Sequence, residues 1–256
     1  MFYIIQENMF REEGLETLLN LLKRFRFKYE LVKVLPDVET LNIKTKRKDV
    51  FVFGTLKMAR LIKPYGFIPG TLITKNHDYT VYSRYYTENL LNYDSKVVRF
   101  GDGIEWKSDK YFIRPVLDSK VFTGKVFNKE EWEVHTKKIL SRGNHSITDD
   151  TLFQLASPKK ITQEVRLWVV DGKIVTQSTY RRGTFVHYSD VVDNDAIVFG
   201  NKMIKLFQLE KAFTMDVGLT ENGWKIVECG SVARAGFYAA NIQKLIIALE
   251  EAFNTK

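Results

Sequence analysis

The first quarter of the chain alternates continuous apolar runs with segments whose apolar residues recur at helical spacing. This pattern predicts buried strands at 2–6, 29–34 and 49–54 and helices at 14–25 and 55–63. A regular alternation of strands and helices is typical of a small, mostly parallel sheet. We therefore predict a β-α-β domain over residues 1–75.

The pattern changes beyond residue 75, where strands and helices no longer alternate. The predicted strands are 96–100, 110–116, 120–127 and 151–157, with a hairpin over 161–181 that turns at Asp171-Gly172, and the predicted helices are 78–92, 130–142, 193–211 and 235–253. We assign residues 76–256 to one further domain. The mixed order of elements indicates an α+β fold class for the chain.

A second predicted hairpin, over 213–231, carries one acidic residue on each arm. A two-residue turn would place these two acids on opposite faces of the hairpin. A three-residue loop with Gly223 in the left-handed conformation pairs Thr220 with Trp224 and places Asp216 directly opposite Glu228. This second register separates apolar from polar positions better, and such separation specifies register. We therefore predict the three-residue loop.

In that register Asp216, Glu228 and Ile226 share the polar face of the hairpin, and Val227 lies on the apolar face. Two opposed carboxylates about 5 Å apart repel each other by roughly 3 kcal/mol at an effective dielectric constant near 20. A shared proton, an arginine or lysine, or a divalent cation would offset the repulsion. The simplest alternative is a solvated sheet face with two unremarkable acids.

Charge and composition narrow the classes of function. The net charge is +8 and the sequence pI is near 9.3, which favours an anionic partner such as a nucleotide, a nucleic acid or an acidic substrate. A single cysteine, Cys229, excludes an internal disulfide and a cysteine-based metal cluster. The first residues lack the pattern of a signal peptide, and no apolar run is long enough to span a membrane. We therefore expect a cytoplasmic protein without a membrane partner.

Five features follow one another between residues 110 and 231. They are a strand that carries Arg114, a loop with Lys120 and Gly124, the apolar strand LFQLAS, a strand with Glu164 and Arg166 on one face, and the hairpin with two acids. This ordered set resembles the ATP-grasp superfamily, and within it the clade of bacteria and bacteriophages marked by two arginines and one lysine. The resemblance implies two α+β subdomains that clamp ATP, preceded here by the small β-α-β domain.

The resemblance also implies roles for individual residues. It assigns ATP phosphate contacts to Arg114, Lys120 and Arg166, adenine contacts to the backbone of Gln154, Leu155 and Ala156, a ribose contact to Glu164, and Mg²⁺ ligation to Asp216 and Glu228. Without nucleotide, the cations would be surface charges, residues 154–156 would be core strand, and Glu164 and Arg166 would form cross-strand ion pairs. The sequence departs from the family where Glu228-Cys229-Gly230 replaces Glu-x-Asn, which leaves a second metal in doubt.

Three further arginines, Arg181, Arg182 and Arg234, flank the expected phosphate end of the site. They could hold a carboxylate substrate or an acyl phosphate, or serve as solubility charges at a sheet edge. The activity implied by the resemblance is ATP-dependent ligation of a carboxylate to an amine through an acyl phosphate. The sequence names neither substrate, and a peptide or a nucleic acid would fit. A phosphotransferase on the same scaffold and a non-catalytic nucleic-acid-binding protein are the alternatives.

Overall fold

The computed structural model describes residues 1–9, 12–116, 122–141 and 147–253. The strands are β1 (Phe2–Gln6), β2 (Tyr29–Val32), β3 (Asp49–Phe53), β4 (Ile68–Gly70), β5 (Lys96–Arg99), β6 (Tyr111–Pro115), β7 (Lys125–Phe127), β8 (Leu152–Ala156), β9 (Gln163–Val170), β10 (Lys173–Arg182), β11 (Phe185–Ser189), β12 (Ala212–Thr220) and β13 (Gly223–Ser231). The α-helices are α1 (Glu12–Arg24), α2 (Leu56–Ile62), α3 (Tyr79–Tyr86), α4 (Lys129–Ser141), α5 (Asn194–Leu206) and α6 (Ile242–Phe253).

The chain forms two compact units, one of residues 1–74 and 161–256 and the other of residues 75–160. The first unit therefore contains both the N-terminal region and the C-terminal part of the chain. The predicted division at residue 75 coincides with the end of its first segment to within one residue. Whether 1–75 and 76–256 are separate domains in the sense of the family stays a prediction.

The predicted parallel sheet of the N-terminal region is confirmed. Its strand order is β2-β1-β3-β4, and β1 pairs in parallel with both β2 and β3. Side chains alternate between its two faces, so that Ile4 enters one apolar cluster with α2 and Tyr3 enters another with α1 and α6. Strand β4 was not predicted, because its sequence Ile-Pro-Gly lacks a strand pattern.

The first unit also holds an antiparallel sheet of order β11-β10-β9-β12-β13. Trp168 and Val170 on β9 join the same apolar cluster as Tyr3, Leu245 and Leu249, so α6 is packed between the two sheets. Central strand β9 is buried at seven of its eight positions, with Arg166 as the exception. This burial fixes the register of the strands that carry the predicted site.

The hairpin of β12 and β13 meets the prediction for its acids but reaches it differently. Thr220 pairs with Gly223, so the turn has two residues, and the predicted pairing of Thr220 with Trp224 is wrong. A β-bulge at Val227 then restores the pairing of Asp216 with Glu228. The same bulge pairs Ile226 with Val217 and buries it completely, which corrects its predicted place on the polar face.

The second unit is built on an antiparallel sheet of order β5-β8-β6-β7. Its apolar core packs the sheet against α4 and includes Ile113, Trp132 and Phe153. The strand predicted over 120–127 is observed only at Lys125–Phe127, and residues 117–121 lie outside the described ranges. The helix predicted over 78–92 ends at Tyr86 and continues as a 3₁₀ turn.

Three other predicted elements differ at the C-terminal part of the chain. The helix predicted over 193–211 ends at Leu206, and the one predicted over 235–253 begins only at Ile242. The later start of α6 has a local cause, because Tyr238 has a left-handed backbone (φ 51°) and Asn241 accepts a hydrogen bond from the Lys244 N–H. Strand β11 was not predicted at all.

Replacing Tyr3 by phenylalanine should destabilise the first unit. The Tyr3 hydroxyl is fully buried and donates to Glu250 Oε1 at 2.7 Å, while the N-terminal ammonium contacts Oε2 of the same carboxylate at 3.1 Å. Removing the hydroxyl leaves a buried carboxylate oxygen without that donor, so we expect a loss of about 1–3 kcal/mol. Urea unfolding measures it, with Tyr93→Phe as the control because Tyr93 is 58% exposed. Equal unfolding midpoints for the two variants would contradict the expectation.

Candidate active site

Charged side chains form two adjacent rows across the antiparallel sheet of the first unit. Arg166 on β9, Asp216 on β12 and Glu228 on β13 are register partners and make the first row. Two residues along, Glu164 on β9 is the register partner of Arg181 on β10 and makes the second row. Cross-strand partners point to the same face of a sheet, as do residues two apart on one strand. The sheet therefore brings five of the predicted site residues onto one face.

Arg166 and Asp216 form a bidentate ion pair at the centre of the first row. Nε donates to Oδ1 and a terminal guanidinium nitrogen donates to Oδ2, both at 2.7 Å. Asp216 is only 3% exposed, and the Arg166 side chain is also largely buried. Such fork geometry is the strongest form of the arginine–carboxylate contact. The cation predicted to offset the repulsion between the two acids is therefore present in the protein itself.

Burial and neighbouring charges act on this pair in opposite directions. Burial raises the pKa of Asp216, the Arg166 guanidinium lowers it, and Glu228 and Glu164 raise it again. Burial would lower the pKa of Arg166, but the Asp216 carboxylate outweighs burial and raises that pKa. The geometry is that of a charged pair, since both Asp216 oxygens accept from Arg166.

A β-bulge in β10 aims two side chains at Glu164. Thr179 is paired with Val165 and Arg181 with Glu164, so Tyr180 is an additional residue in the strand. As a result the Tyr180 hydroxyl donates to Glu164 Oε2 at 2.6 Å and Arg181 donates to Oε1 at 2.7 Å. Regular alternation would have placed the two side chains on opposite faces. Bulges of this kind often re-aim side chains next to active sites.

Tyr180 also links the two rows. Its oxygen lies 3.4 Å from Asp216 Oδ2, besides its shorter bond to Glu164. Burial raises the pKa of Tyr180, and the charges of Asp216 and Glu164 raise it further. The hydroxyl therefore keeps its proton over the ordinary pH range and serves as a donor to the acids.

Aromatic rings cover the guanidinium of Arg166. Its central carbon lies 4.9 Å from the centroid of the Tyr238 ring, 5.8 Å from Tyr180 and 6.0 Å from Trp168. Tyr238 stacks on both Tyr180 and Tyr188 at 5.1 Å between ring centroids. Cation–π contacts with a partly desolvated arginine stabilise its position. The left-handed backbone of Tyr238, which is unusual for a bulky residue, places the ring there.

The residues predicted as Mg²⁺ ligands fit that ion in the kind of ligand they offer. Asp216 and Glu228 present carboxylates from adjacent strands, and Mg²⁺ is commonly held by one or two carboxylates together with substrate phosphates. Within the described ranges, no three acidic, histidine or cysteine side chains are grouped closely enough to hold a metal ion. The missing third ligand is what a site completed by phosphate requires. The assignment of both acids to Mg²⁺ stays a prediction.

The remaining nucleotide-binding residues belong to the second unit. Arg114 on β6 is the register partner of Gln154 on β8, and Gln154, Leu155 and Ala156 are buried. The Gln154 side-chain nitrogen has no hydrogen-bond partner in the described part of the chain. Lys120 lies outside the described residues.

The segment that follows β8 is held by Asp94. Its carboxylate accepts from the Ser157 N–H at 3.1 Å, from the Ser157 hydroxyl and from Lys159 Nζ. Burial would raise the pKa of Asp94, but these hydrogen bonds lower it, so the group stays ionised. Asp94 thus fixes the backbone directly after the strand that is predicted to contact adenine.

The three arginines predicted to contact substrate have different surroundings. Arg181 is bound to Glu164, Arg182 lies at the exposed end of β10 opposite Phe185, and Arg234 ends a 3₁₀ turn after β13. Sequence reasoning did not identify Tyr180 and Tyr238 as site residues. Both stand in the segments TYRRG and SVARAGFY, which had been considered only for their arginines.

A family model described as an ATP-grasp domain, family 3 of its clade, matches residues 74–249. The match covers more than half of the chain, which therefore belongs to this ATP-grasp family. The finer expectations, a clade defined by two arginines and a lysine and an origin in bacteria or bacteriophages, stay predictions. No curated protein matches the chain significantly.

Solved structures share the fold at low sequence identity. A RimK domain protein with ATP-grasp from Sphaerobacter thermophilus has a TM-score of 0.63 at 11% identity, covering 91% of this chain and 92% of its own. D-alanine–D-alanine ligase from Bacillus anthracis complexed with ATP has a TM-score of 0.61 at 11% identity, with 99% and 97% covered. The ATP-grasp ligase PsnB with its precursor peptide and AMPPNP has a TM-score of 0.56 at 9% identity, with 99% and 97% covered. The predicted ATP-grasp fold is confirmed.

One further observation concerns membranes. Within the described residues, none of the helices has the length and apolarity needed to cross a bilayer.

The Arg166–Asp216 pair reverses one expectation about stability. If the two acids only repelled each other, removing either charge would leave stability level or raise it. Because Asp216 neutralises a buried arginine, we expect Asp216→Asn to lower the free energy of unfolding by about 3–5 kcal/mol. Glu228→Gln removes a carboxylate that disfavours ionised Asp216, so its stability should stay level or rise.

Urea unfolding without metal or nucleotide distinguishes these outcomes. The double variant Arg166→Met/Asp216→Asn should recover most of the lost stability, because it leaves no buried unpaired charge. Equal losses in Asp216→Asn and Glu228→Gln would show that the ion pair does not govern this face of the sheet.

Proposed function

We propose that this protein is an ATP- and Mg²⁺-dependent ligase that joins a carboxylate to an amine through an acyl phosphate. The observation that carries the proposal is the row Arg166–Asp216–Glu228 on the sheet of an ATP-grasp fold, with Glu164 beside it. The ligases among its structural neighbours support the reaction class. The fold likeness does not identify the substrates.

The chain offers one group for each part of the nucleotide. Arg114, Lys120 and Arg166 would contact phosphates, Glu164 would accept hydrogen bonds from the ribose hydroxyls, and residues 154–156 would contact adenine. When bound between Asp216, Glu228 and the phosphates, Mg²⁺ would neutralise the charge of the β- and γ-phosphates. Preorganised cations and dipoles of this kind are the main source of catalysis in phosphoryl transfer.

The ion pair supports a specific role for Arg166. In the nucleotide-free protein its guanidinium satisfies both oxygens of Asp216. A phosphate is a comparable bidentate partner for arginine. Arg166 would therefore turn from Asp216 towards phosphate when ATP binds, which leaves the carboxylate free for the cation. Tyr238 and Tyr180 lie against the guanidinium and limit how far it can move.

The proposed reaction has two balanced steps. A substrate carboxylate oxygen attacks the γ-phosphorus, the bond between that phosphorus and the β–γ bridging oxygen breaks, and ADP leaves. The amine nitrogen then attacks the acyl carbon, inorganic phosphate leaves, and the amine loses a proton. Arg181, Arg182 and Arg234 are the candidates for holding the carboxylate and the acyl phosphate.

ATP with Mg²⁺ should raise the melting temperature, because a ligand that binds only the folded state stabilises it. At a hundredfold excess over the dissociation constant, the gain is about 2.7 kcal/mol. Differential scanning fluorimetry measures the shift. Arg166→Ala should reduce it, and Arg182→Ala, at the exposed end of β10, provides the comparison. A folded protein whose melting temperature does not respond to millimolar ATP would contradict the proposal.

A screen of ADP release over amino acids, peptides and nucleic acids should identify the acceptor. Hydroxylamine should trap the acyl phosphate as a hydroxamate that requires both ATP and the carboxylate. Asp216→Asn and Glu228→Gln should abolish turnover in samples that remain folded. A phosphorylated alcohol would instead establish a phosphotransferase. Salt-dependent nucleic-acid binding without ATP turnover would establish a binding protein.

A further inference from the structure

The edge strand β11 exposes apolar side chains on both of its faces. Phe185 is 77% exposed and Val186 is 68% exposed, and consecutive residues of a strand point to opposite faces. Tyr188 is partly exposed as well. Among the described strands β11 pairs only with β10, so its other side offers backbone groups for pairing. Proteins usually protect such an edge with charged residues, proline or a covering segment.

The two-sided exposure indicates what kind of partner fits. A helix laid against the edge would cover one face of β11 and leave the other face exposed. An extended segment that pairs with β11 would satisfy its backbone groups and bring side chains to both faces. Because β11 has only five residues, the buried area would be far below the roughly 1,200–2,000 Å² of stable complexes. The partner is therefore one that is held weakly and released, as a substrate is.

Charges at the two ends of β11 give the partner a direction. Arg182 is the register partner of Phe185 at one end, and Asp190 follows the other end. A segment that pairs antiparallel to β11 has its C-terminal half near Arg182. It would thus carry an acidic residue in that half and tolerate a basic residue in the other half.

We propose that the edge of β11 is the docking site for an extended peptide, and that this peptide carries the group that is ligated. The substrate role rests on the proposed function, and it selects a peptide over a nucleic acid. A docked strand would lie four strand spacings from β12, which is about 19 Å. An extended chain covers about 3.3 Å per residue, so at least about six residues must separate the docked segment from the reacting group.

Docking can be tested without ATP. A phage-displayed library of random 12-residue peptides is selected on the protein, and an enriched peptide is labelled with fluorescein for anisotropy. We expect Phe185→Lys/Val186→Lys to weaken its binding by at least about tenfold, as for loss of central contacts. Val198→Lys on α5, at a position that is 58% exposed, should bind normally. Hydrogen exchange of the amides of 185–189 should slow when the peptide is added.

Several results would overturn the docking proposal. They are enriched peptides that bind the double lysine variant as well as the parent, a dimer in sedimentation that dissociates in that variant, and an oligonucleotide whose binding the variant abolishes. The second result would assign the edge to another copy of this chain, and the third to a nucleic acid.

The predicted spacing separates docking from catalysis. The enriched peptide is extended by a tail with one glutamate placed two or eight residues away, and ADP release is followed with mixed amino acids as amines. Only the longer spacing should support turnover. Turnover at both spacings would overturn the geometry proposed here. Docking without ADP release from any substrate would instead count against the ligase proposal, whereas turnover of free carboxylates without peptide binding would count only against docking.

Discussion

The bidentate pair between Arg166 and Asp216 is the interaction on which the site depends. A charge buried alone in a sheet of apolar strands would be costly, and a carboxylate beside two other carboxylates would be repelled by them. The arginine offsets both effects, since it takes both Asp216 oxygens at 2.7 Å. The face of the sheet can therefore keep acidic residues in a folded, nucleotide-free protein. The same guanidinium is also suited to phosphate, which connects stability with the proposed function.

Two β-bulges bring the acids to the partners they have. The bulge at Val227 restores the opposition of Asp216 and Glu228 after a tight two-residue turn, and the bulge at Tyr180 turns two consecutive side chains towards Glu164. Each bulge adds one residue to one strand and leaves the apolar register on either side intact. The site is thus adjusted without moving the core, because Val165 and Val217 remain fully buried.

The tyrosines form a second layer around this site. Tyr180 donates to Glu164, and Tyr238 covers the guanidinium and stacks between neighbouring rings. A bulky residue in the left-handed region carries a conformational cost that the surroundings must offset. Here the compensation includes the cation–π contact and the two ring stacks, so the strained residue is held by the pair that it covers. From Tyr188 this layer continues to the exposed strand β11.

The sequence by itself determined the strand and helix order, the parallel N-terminal sheet and the opposition of Asp216 and Glu228, because period and burial of apolar residues specify these features. It also identified the residue types of the site, since five of them share one sheet face. Only the tertiary structure decided the turn length and the two bulges, which depend on pairing with neighbouring strands. It also decided that Arg166 pairs with Asp216 rather than Glu164, and that Tyr238 covers it. These partners are 50 and 72 residues from Arg166 in sequence, and no local pattern encodes contacts over such separations.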